Sequence, residues 1–232
     1  MTQPASPSRF DAQSAASYDE RWAPLAPMRD SLHLQISLVL RDLPADARVL
    51  CVGVGTGPEL AALARRFPNW RFIACDPSAP MLDQCRRRAE AEGFSDRCEF
   101  HVCYVHELPP AEPVHAVTTL LVSHFIVDPV LRLNFFREAA ARLRPGGLLV
   151  TADLCCPDGA PREPLLDAWR QMMRFVGADE EKIKATVALY GSEVSIQTPA
   201  KLISILSEAG FANPVQFCQN LLIHAFFARR QN

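Results

Sequence analysis

Two periodicities alternate through the middle of the chain. Between residues 48 and 152, short and almost wholly apolar runs alternate with longer stretches in which apolar positions recur every three or four residues. The runs predict strands at 48–52, 71–75, 98–103, 116–122 and 147–152; the spaced stretches predict helices at 59–67, 79–93 and 131–143. A strand apolar at nearly every position is buried on both faces, and intervening helices of about 10–15 residues provide the crossovers of a parallel sheet.

The ends follow a different rhythm. Residues 10–22 have helical spacing through Phe10, Ala15 and Tyr18 and stop before Pro24, and residues 31–40 form a second amphipathic helix ahead of the Leu43-Pro44 turn. After Asp153, the cluster Pro157, Gly159, Pro161 and Pro164 predicts a loop, followed by helices at 165–176, 180–189 and 199–209. The last two apolar runs, 215–218 and 221–228, are separated only by Gln219-Asn220. That link is too short for a parallel crossover and predicts an antiparallel hairpin. The whole reads as an α/β fold, a Rossmann-like seven-stranded and mostly parallel sheet with an antiparallel C-terminal hairpin and helices on both faces. Residues 1–9 are expected to be a disordered tail. Residues 10–232 form a single domain, with a helical cap at 10–44 and an inserted substrate roof at 154–198.

Composition narrows the function. With 232 residues, 49% hydrophobic and 22% charged, the chain can bury a full core without disulfides or metal. A net charge of −2 gives no global positive field to draw in nucleic acid or an anionic membrane. The N-terminus lacks the apolar segment of a signal peptide, and no apolar run approaches about 18 residues. A cytoplasmic location is therefore expected, with the 8 cysteines as thiols. They contain no C-x-x-C pair, so no metal site is expected; Cys155-Cys156 is the reactive-thiol candidate.

The strongest local chemistry lies where the first strand runs into Gly53-Val54-Gly55-Thr56-Gly57 and a helix follows at once. Glycines permit positive φ and let a ligand approach the backbone. The second strand ends in Asp76, placed to accept both hydroxyls of a ribose. Together they describe an adenosine site at the carboxyl edge of a parallel sheet. Pro58 stands where a dinucleotide fold would present an amide to a pyrophosphate, and proline has none. S-adenosylmethionine carries no phosphate and does not need one.

On these residues the chain resembles the class I S-adenosylmethionine-dependent methyltransferases over residues 45–230. The resemblance is carried by Val49-Leu-Cys-Val-Gly-Val-Gly-Thr-Gly57, Ile73-Ala-Cys-Asp-Pro-Ser-Ala-Pro-Met-Leu82 and Leu143-Arg-Pro-Gly-Gly-Leu-Leu-Val150, and by the terminal hairpin. The opening Phe10-Asp11 with Tyr18-Asp19-x-Arg21 is similar to the cap helix of that superfamily. With Ala209-Gly-Phe211 and Phe217, it is also similar, more narrowly, to the carboxy-S-adenosylmethionine synthase branch. The resemblance implies that Gly53, Val54, Gly55 and Gly57 flank the methionine moiety of the cofactor and that Asp76 holds its ribose. Pro77 and Met81 would pack on the adenine, Tyr104 and Val105 beside its edge, and Leu120 and Leu121 along the methionine tail. Tyr18 and Arg21 would close the site from the cap, Arg21 facing the cofactor carboxylate. Two departures stand out. The family's acids at the cofactor ammonium and at the adenine amine are replaced here by Cys51 and Tyr104, and Ile205 stands where the carboxy-cofactor branch places an arginine.

The resemblance implies in-line methyl transfer to a small-molecule acceptor through oxygen, nitrogen or sulfur, leaving S-adenosylhomocysteine as product. The alternatives are a carboxy-cofactor or tRNA-modifying enzyme, a non-catalytic cofactor-binding protein and a nicotinamide dehydrogenase, the last disfavoured by Pro58. Three residues are candidates for the chemistry. His124 follows the fourth strand and carries an imidazole suited to a base, Tyr18 lies in the cap, and Asp153 at the end of the fifth strand can contact the acceptor. A structural hydrogen bond is the competing role for His124, and a loop or capping role for Asp153. His224 is expected as a half-buried sheet residue. Trp169, Met172, Met173, Phe175, Val176 and Tyr190 would line the roof or form plain core, and Arg86-Arg87-Arg88 a solvated helix face. Apolar surface on the N-terminal helices is compatible with a homodimer.

Overall fold

The computed structural model describes residues 10–231; the expected tail at 1–9 lies outside them. Seven strands form one sheet: β1 (Arg48–Val52), β2 (Arg71–Cys75), β3 (Cys98–His101), β4 (Val114–Leu120), β5 (Leu143–Leu154), β6 (Phe211–Asn220) and β7 (Ile223–Arg230). Their order is β3-β2-β1-β4-β5-β7-β6. The pairs from β3 across to β5 are parallel, and β7 runs antiparallel between β5 and β6. The order reverses between β1 and β4, so the chain leaves their carboxyl ends in opposite directions and opens a crevice there.

Helices cover both faces. Ile36, Leu60, Leu63 and Leu82, from α2 (Ala26–Val39), α3 (Pro58–Arg66) and α4 (Ala79–Ala91), pack on Val49, Cys51, Phe72, Ala74 and Val150. On the opposite face, Phe136 of α5 (Pro129–Arg142) and Leu202 and Leu206 of α8 (Pro199–Glu208) pack on Leu50, Val52, Leu149 and Phe226. Alternate residues of β1 thus enter different cores, which is why the strand shows no polar alternation. A third cluster lies above the carboxyl edge. It joins Trp169, Met172 and Met173 of α6 (Arg162–Phe175) and Ile183 of α7 (Glu180–Ala188) to Leu154, Cys156 and Leu222. The cap helix α1 (Ala12–Trp22) lies against α4. No helix among the described residues is long and apolar enough to cross a membrane.

Several boundaries differ from those the sequence predicts, each for a local reason. α2 begins five residues early, at Ala26, because Pro27 falls in its first turn, where no amide is needed. α5 begins at Pro129, with the Asp128 carboxylate accepting the Val130 and Leu131 amides at 2.8 and 3.0 Å. β4 stops at Leu120 because Leu121 turns to φ +58°. The hairpin turns at Leu221-Leu222, not at Gln219-Asn220, since Asn220 still pairs with Ile223. Leu222 is wholly buried in the roof cluster, and its carbonyl accepts the Cys155 amide at 2.7 Å. Burial there outweighs the turn preference of Asn220.

Candidate active site

The glycine loop takes its shape from three left-handed residues, Gly53, Gly55 and Gly57, at φ +63°, +57° and +81°. A Cβ on Gly53 would lie 2.5 Å from Val122 Cγ2, and one on Gly57 2.5 Å from Cys85 Sγ. Gly55 is different. Its added Cβ would have only Met81 Cε nearby, at 3.7 Å, so this glycine leaves open the space above the loop. The Gly53 and Val54 amides donate to the Cys75 carbonyl, which ties the loop to the end of β2.

Asp76 completes the tie. Its Oδ2 accepts the Gly55 amide at 2.9 Å and its Oδ1 the Ser78 amide at 2.8 Å. Burial raises the carboxyl above its ordinary range, against the pull of those two amides. Each oxygen keeps a lone pair for a further donor. Met81 is buried beside the loop and Pro77 is half-buried. The side chains of Val54 and Val105 point into the two cores, so these residues offer backbone alone. Leu120 and Leu121 diverge, the first onto the α2–α4 face and the second into the roof cluster.

The cap is clasped to this loop. Thr56 Oγ1 donates to Asp19 Oδ1 at 2.6 Å, Arg88 pairs with Asp19 Oδ2, and Arg88 Nε donates to the Thr56 carbonyl at 2.9 Å. Ser78 Oγ donates to the Phe10 carbonyl at 2.6 Å. Tyr18 is thereby held over the site within electrostatic reach of Asp76, its phenol pushed up by burial and by Asp19 and Asp76. Phe10 packs edge-on against both Tyr18 and Phe125, with ring centres 6.4 and 5.8 Å apart. Arg21 lies beside Tyr18 but is exposed. Arg88 corrects the expectation of a solvated basic run. Only Arg87 of the three is exposed, since Arg86 donates to Asp83 and lies over the Phe100 ring.

Beyond β4, Ser123, His124 and Phe125 form a single 3₁₀ turn, and Asp153 near the end of β5 anchors it. His124 Nδ1 is 2.9 Å from Asp153 Oδ1, Ser123 Oγ donates to Asp153 Oδ2, and Arg132 of α5 donates to the same Oδ2 at 3.0 Å. Arg132 also donates to Ser123 Oγ at 2.9 Å and Ser195 Oγ at 3.2 Å. Asp153 and Arg132 are 0% and 1% exposed. Asp153 therefore cannot serve as the direct acceptor contact that the sequence suggests; it reaches a ligand only through His124. Among the described residues, His124 Nε2 has no hydrogen-bond partner. His224 lies opposite Asp153 in the β5–β7 register and is almost fully buried, more so than expected, with both ring nitrogens unpartnered.

The Cys155-Cys156 pair is not poised to react. Cys155 is fully buried and burial pushes it up to about 12, while Cys156 is likewise raised and 1% exposed. In the roof, Phe175 faces outward at 71% exposure, whereas Trp169 is buried with Nε1 donating to Tyr190 Oη at 2.8 Å. The groove of about 450 Å³ between α6 and α7, lined by Arg170, Arg174 and Ile183, is remote from the glycine loop. The donor set suits an adenosyl sulfonium. It offers a ribose acceptor in Asp76, a glycine floor open at Gly55, a half-buried Tyr104 whose hydroxyl is buried without a partner, and no pyrophosphate cradle.

Comparison with known proteins points to a family. A family model described as a methyltransferase domain matches residues 49–147. The tRNA 5-carboxymethoxyuridine methyltransferase of Escherichia coli (strain K12) is 32% identical over 108 residues, which are 46% of this chain and 40% of that protein. The carboxy-S-adenosyl-L-methionine synthase of Desulfotalea psychrophila is 24% identical over 156 residues, 65% of this chain and 62% of that one. These matches support the class I S-adenosylmethionine-dependent methyltransferase superfamily, to whose methyltransferase domain residues 49–147 are similar. An O-methyltransferase family 2 protein from Planctomyces limnophilus, solved in complex with apigenin, shares the fold. Its TM-score is 0.63 at 19% identity, over 94% of this chain and 61% of that one. Ile205 of α8 is buried in the core. The superfamily's methyl donor is S-adenosylmethionine, and Gly53, Gly55, Asp76, Met81 and Tyr104 are the residues of this chain that would hold it.

Proposed function

We propose that this chain transfers a methyl group from S-adenosylmethionine to a small-molecule acceptor. The observation that carries the reading is the His124–Asp153 pair, whose histidine packs on Phe125 and, through it, on Phe10 of the cap. Bound S-adenosylmethionine supplies an electrophilic methyl carbon on a sulfonium. The protein then has to align the acceptor, exclude water and, for a hydroxyl, accept its proton. His124 Nε2 is suited to take that proton, because Asp153 fixes the ring through Nδ1 and stabilises the imidazolium that forms. Phe10, Tyr18 and Phe125 gather aromatic rings at the cap, which suits a flat, apolar acceptor bearing a hydroxyl.

A macromolecular acceptor such as tRNA is the second reading, prompted by the E. coli relative. Internal use of the basic residues argues against it. Arg88, Arg97, Arg132 and Arg142 are all committed to internal carboxylates or carbonyls, and the net charge is −2. The test is a labelled-methyl assay with a panel of phenols, flavonoids, amines and thiols alongside bulk tRNA. Label in a small phenolic product supports the reading. Label in tRNA alone overturns it.

A further inference from the structure

Glu59 stands in the first turn of α3, two residues past Gly57, and is 8% exposed. Its Oε1 is buried with no hydrogen-bond partner, and so is Thr118 Oγ1 of β4. Thr118 is the register partner of Cys51 on β1, and its hydroxyl lies against both the Cys51 thiol and the Glu59 carboxyl, near enough to favour the ionised form of each. The titratable groups facing the carboxyl are Cys51 from β1 and Cys85 from α4, both themselves pushed up by burial. Among the described residues Glu59 forms no ion pair. Burial raises its carboxyl to about 7.

A carboxyl in that position is costly. A buried polar group without a partner destabilises the fold, and a residue kept for packing alone would be apolar. The glutamate reaches the cluster from a helix that springs directly from the glycine loop, and beside the Thr118 hydroxyl alone a carboxylate there lacks a counter-ion. The ligand assigned to this loop brings one, the ammonium of its methionine half. Cys51 offers no charge to receive it.

We propose that Glu59 is the positioning residue that pairs with the ammonium group of S-adenosylmethionine, so that the acid serving this end of the cofactor comes from α3 and not from β1. The inference rests on the cofactor reading above and deepens it. In the ligand-free protein near pH 6 the carboxyl keeps its proton; on pairing with the ammonium it releases that proton to solvent.

The test compares two ligands by calorimetric titration of the whole chain, wild type and Glu59→Gln, at pH 8. S-adenosylhomocysteine carries the ammonium; 5′-methylthioadenosine shares the adenosine and sulfur but lacks the amino-acid end. Expected is a loss of about tenfold or more in S-adenosylhomocysteine affinity, as for a lost hydrogen bond to a charged group, with methylthioadenosine affinity held within about twofold. Equal losses for both ligands would mean that Glu59 acts through the fold or the adenosine end, and would overturn the inference. Unchanged binding of S-adenosylhomocysteine would overturn it as well. Wild-type protein that binds neither ligand would instead overturn the cofactor reading itself.

Discussion

Nδ1 of His124 and Oδ1 of Asp153 lie 2.9 Å apart, and Arg132 closes the other oxygen of the same carboxylate at 3.0 Å. Burial pushes the Asp153 carboxyl up, but Arg132, His124 and Ser123 together more than offset it and hold it below the ordinary range. The carboxylate is thus ionised across neutral pH and fixes the imidazole with Nε2 free of any partner among the described residues. His124→Ala is expected to lower kcat toward a hydroxyl acceptor by about 10²–10⁴-fold, the usual contribution of a general base. Affinity for S-adenosylhomocysteine should stay within about twofold. Steady-state kinetics paired with a binding titration check both halves; an unchanged kcat would reduce the pair to a structural hydrogen bond.

Removing the cation should hurt stability more than removing the histidine. Arg132→Met leaves the Asp153 charge buried and uncompensated, which typically costs about 3–5 kcal/mol. Urea denaturation of the two variants side by side measures the difference. Equal losses would contradict the assignment of Arg132 as the counter-ion.

Glu59 predicts a pH dependence of opposite sign to that of a paired acid. Its carboxyl titrates near 7 when folded against 4.5 as the ordinary value, so between those values the folded chain holds a proton that the unfolded chain has lost. Stability therefore falls as pH rises through that window. Glu59→Gln removes the effect: the variant should be more stable than wild type at pH 8 and no more stable at pH 5. Thermal unfolding at the two pH values decides it.

The clasp of Asp19 on Thr56 and Arg88 should govern exchange of ligand more than folding. Asp19 and Arg88 are 45% and 27% exposed in their side chains, and an ion pair so placed contributes at most about 1 kcal/mol. Asp19→Ala is expected to raise the dissociation rate of S-adenosylhomocysteine several-fold while leaving the unfolding midpoint nearly unchanged. Stopped-flow displacement measures the rate; a wild-type rate would separate the cap from the site.

The parallel sheet is legible in the sequence because β1, β2 and β4 bury both faces and so read as unbroken apolar runs. The glycine loop and Asp76 are legible because left-handed backbone and a strand-end acid leave few residue choices. The charged residues that build the interior are hidden. Arg132 sits in Leu131-Arg132-Leu133, where a lone arginine on a helix passes for a surface residue; only the position of Asp153, distant in sequence, explains its burial. Arg88 passes for part of a solvated run until α1 brings Asp19 to it. Glu59 has a faint local signal, an acid directly before the apolar Leu60-Ala61-Ala62-Leu63, but nothing local shows that α3 turns it inward. Leu222 shows the same limit for the backbone, since a turn was expected where polar residues stood, and burial in the roof moved it by two residues.

The most direct measurement is a calorimetric titration of the wild-type chain with S-adenosylhomocysteine, with NADH as the control. The expected result is saturable binding of S-adenosylhomocysteine at one site per chain and none of NADH. No binding of S-adenosylhomocysteine, or binding of NADH in its place, would contradict the assignment of the glycine loop and Asp76 to this cofactor.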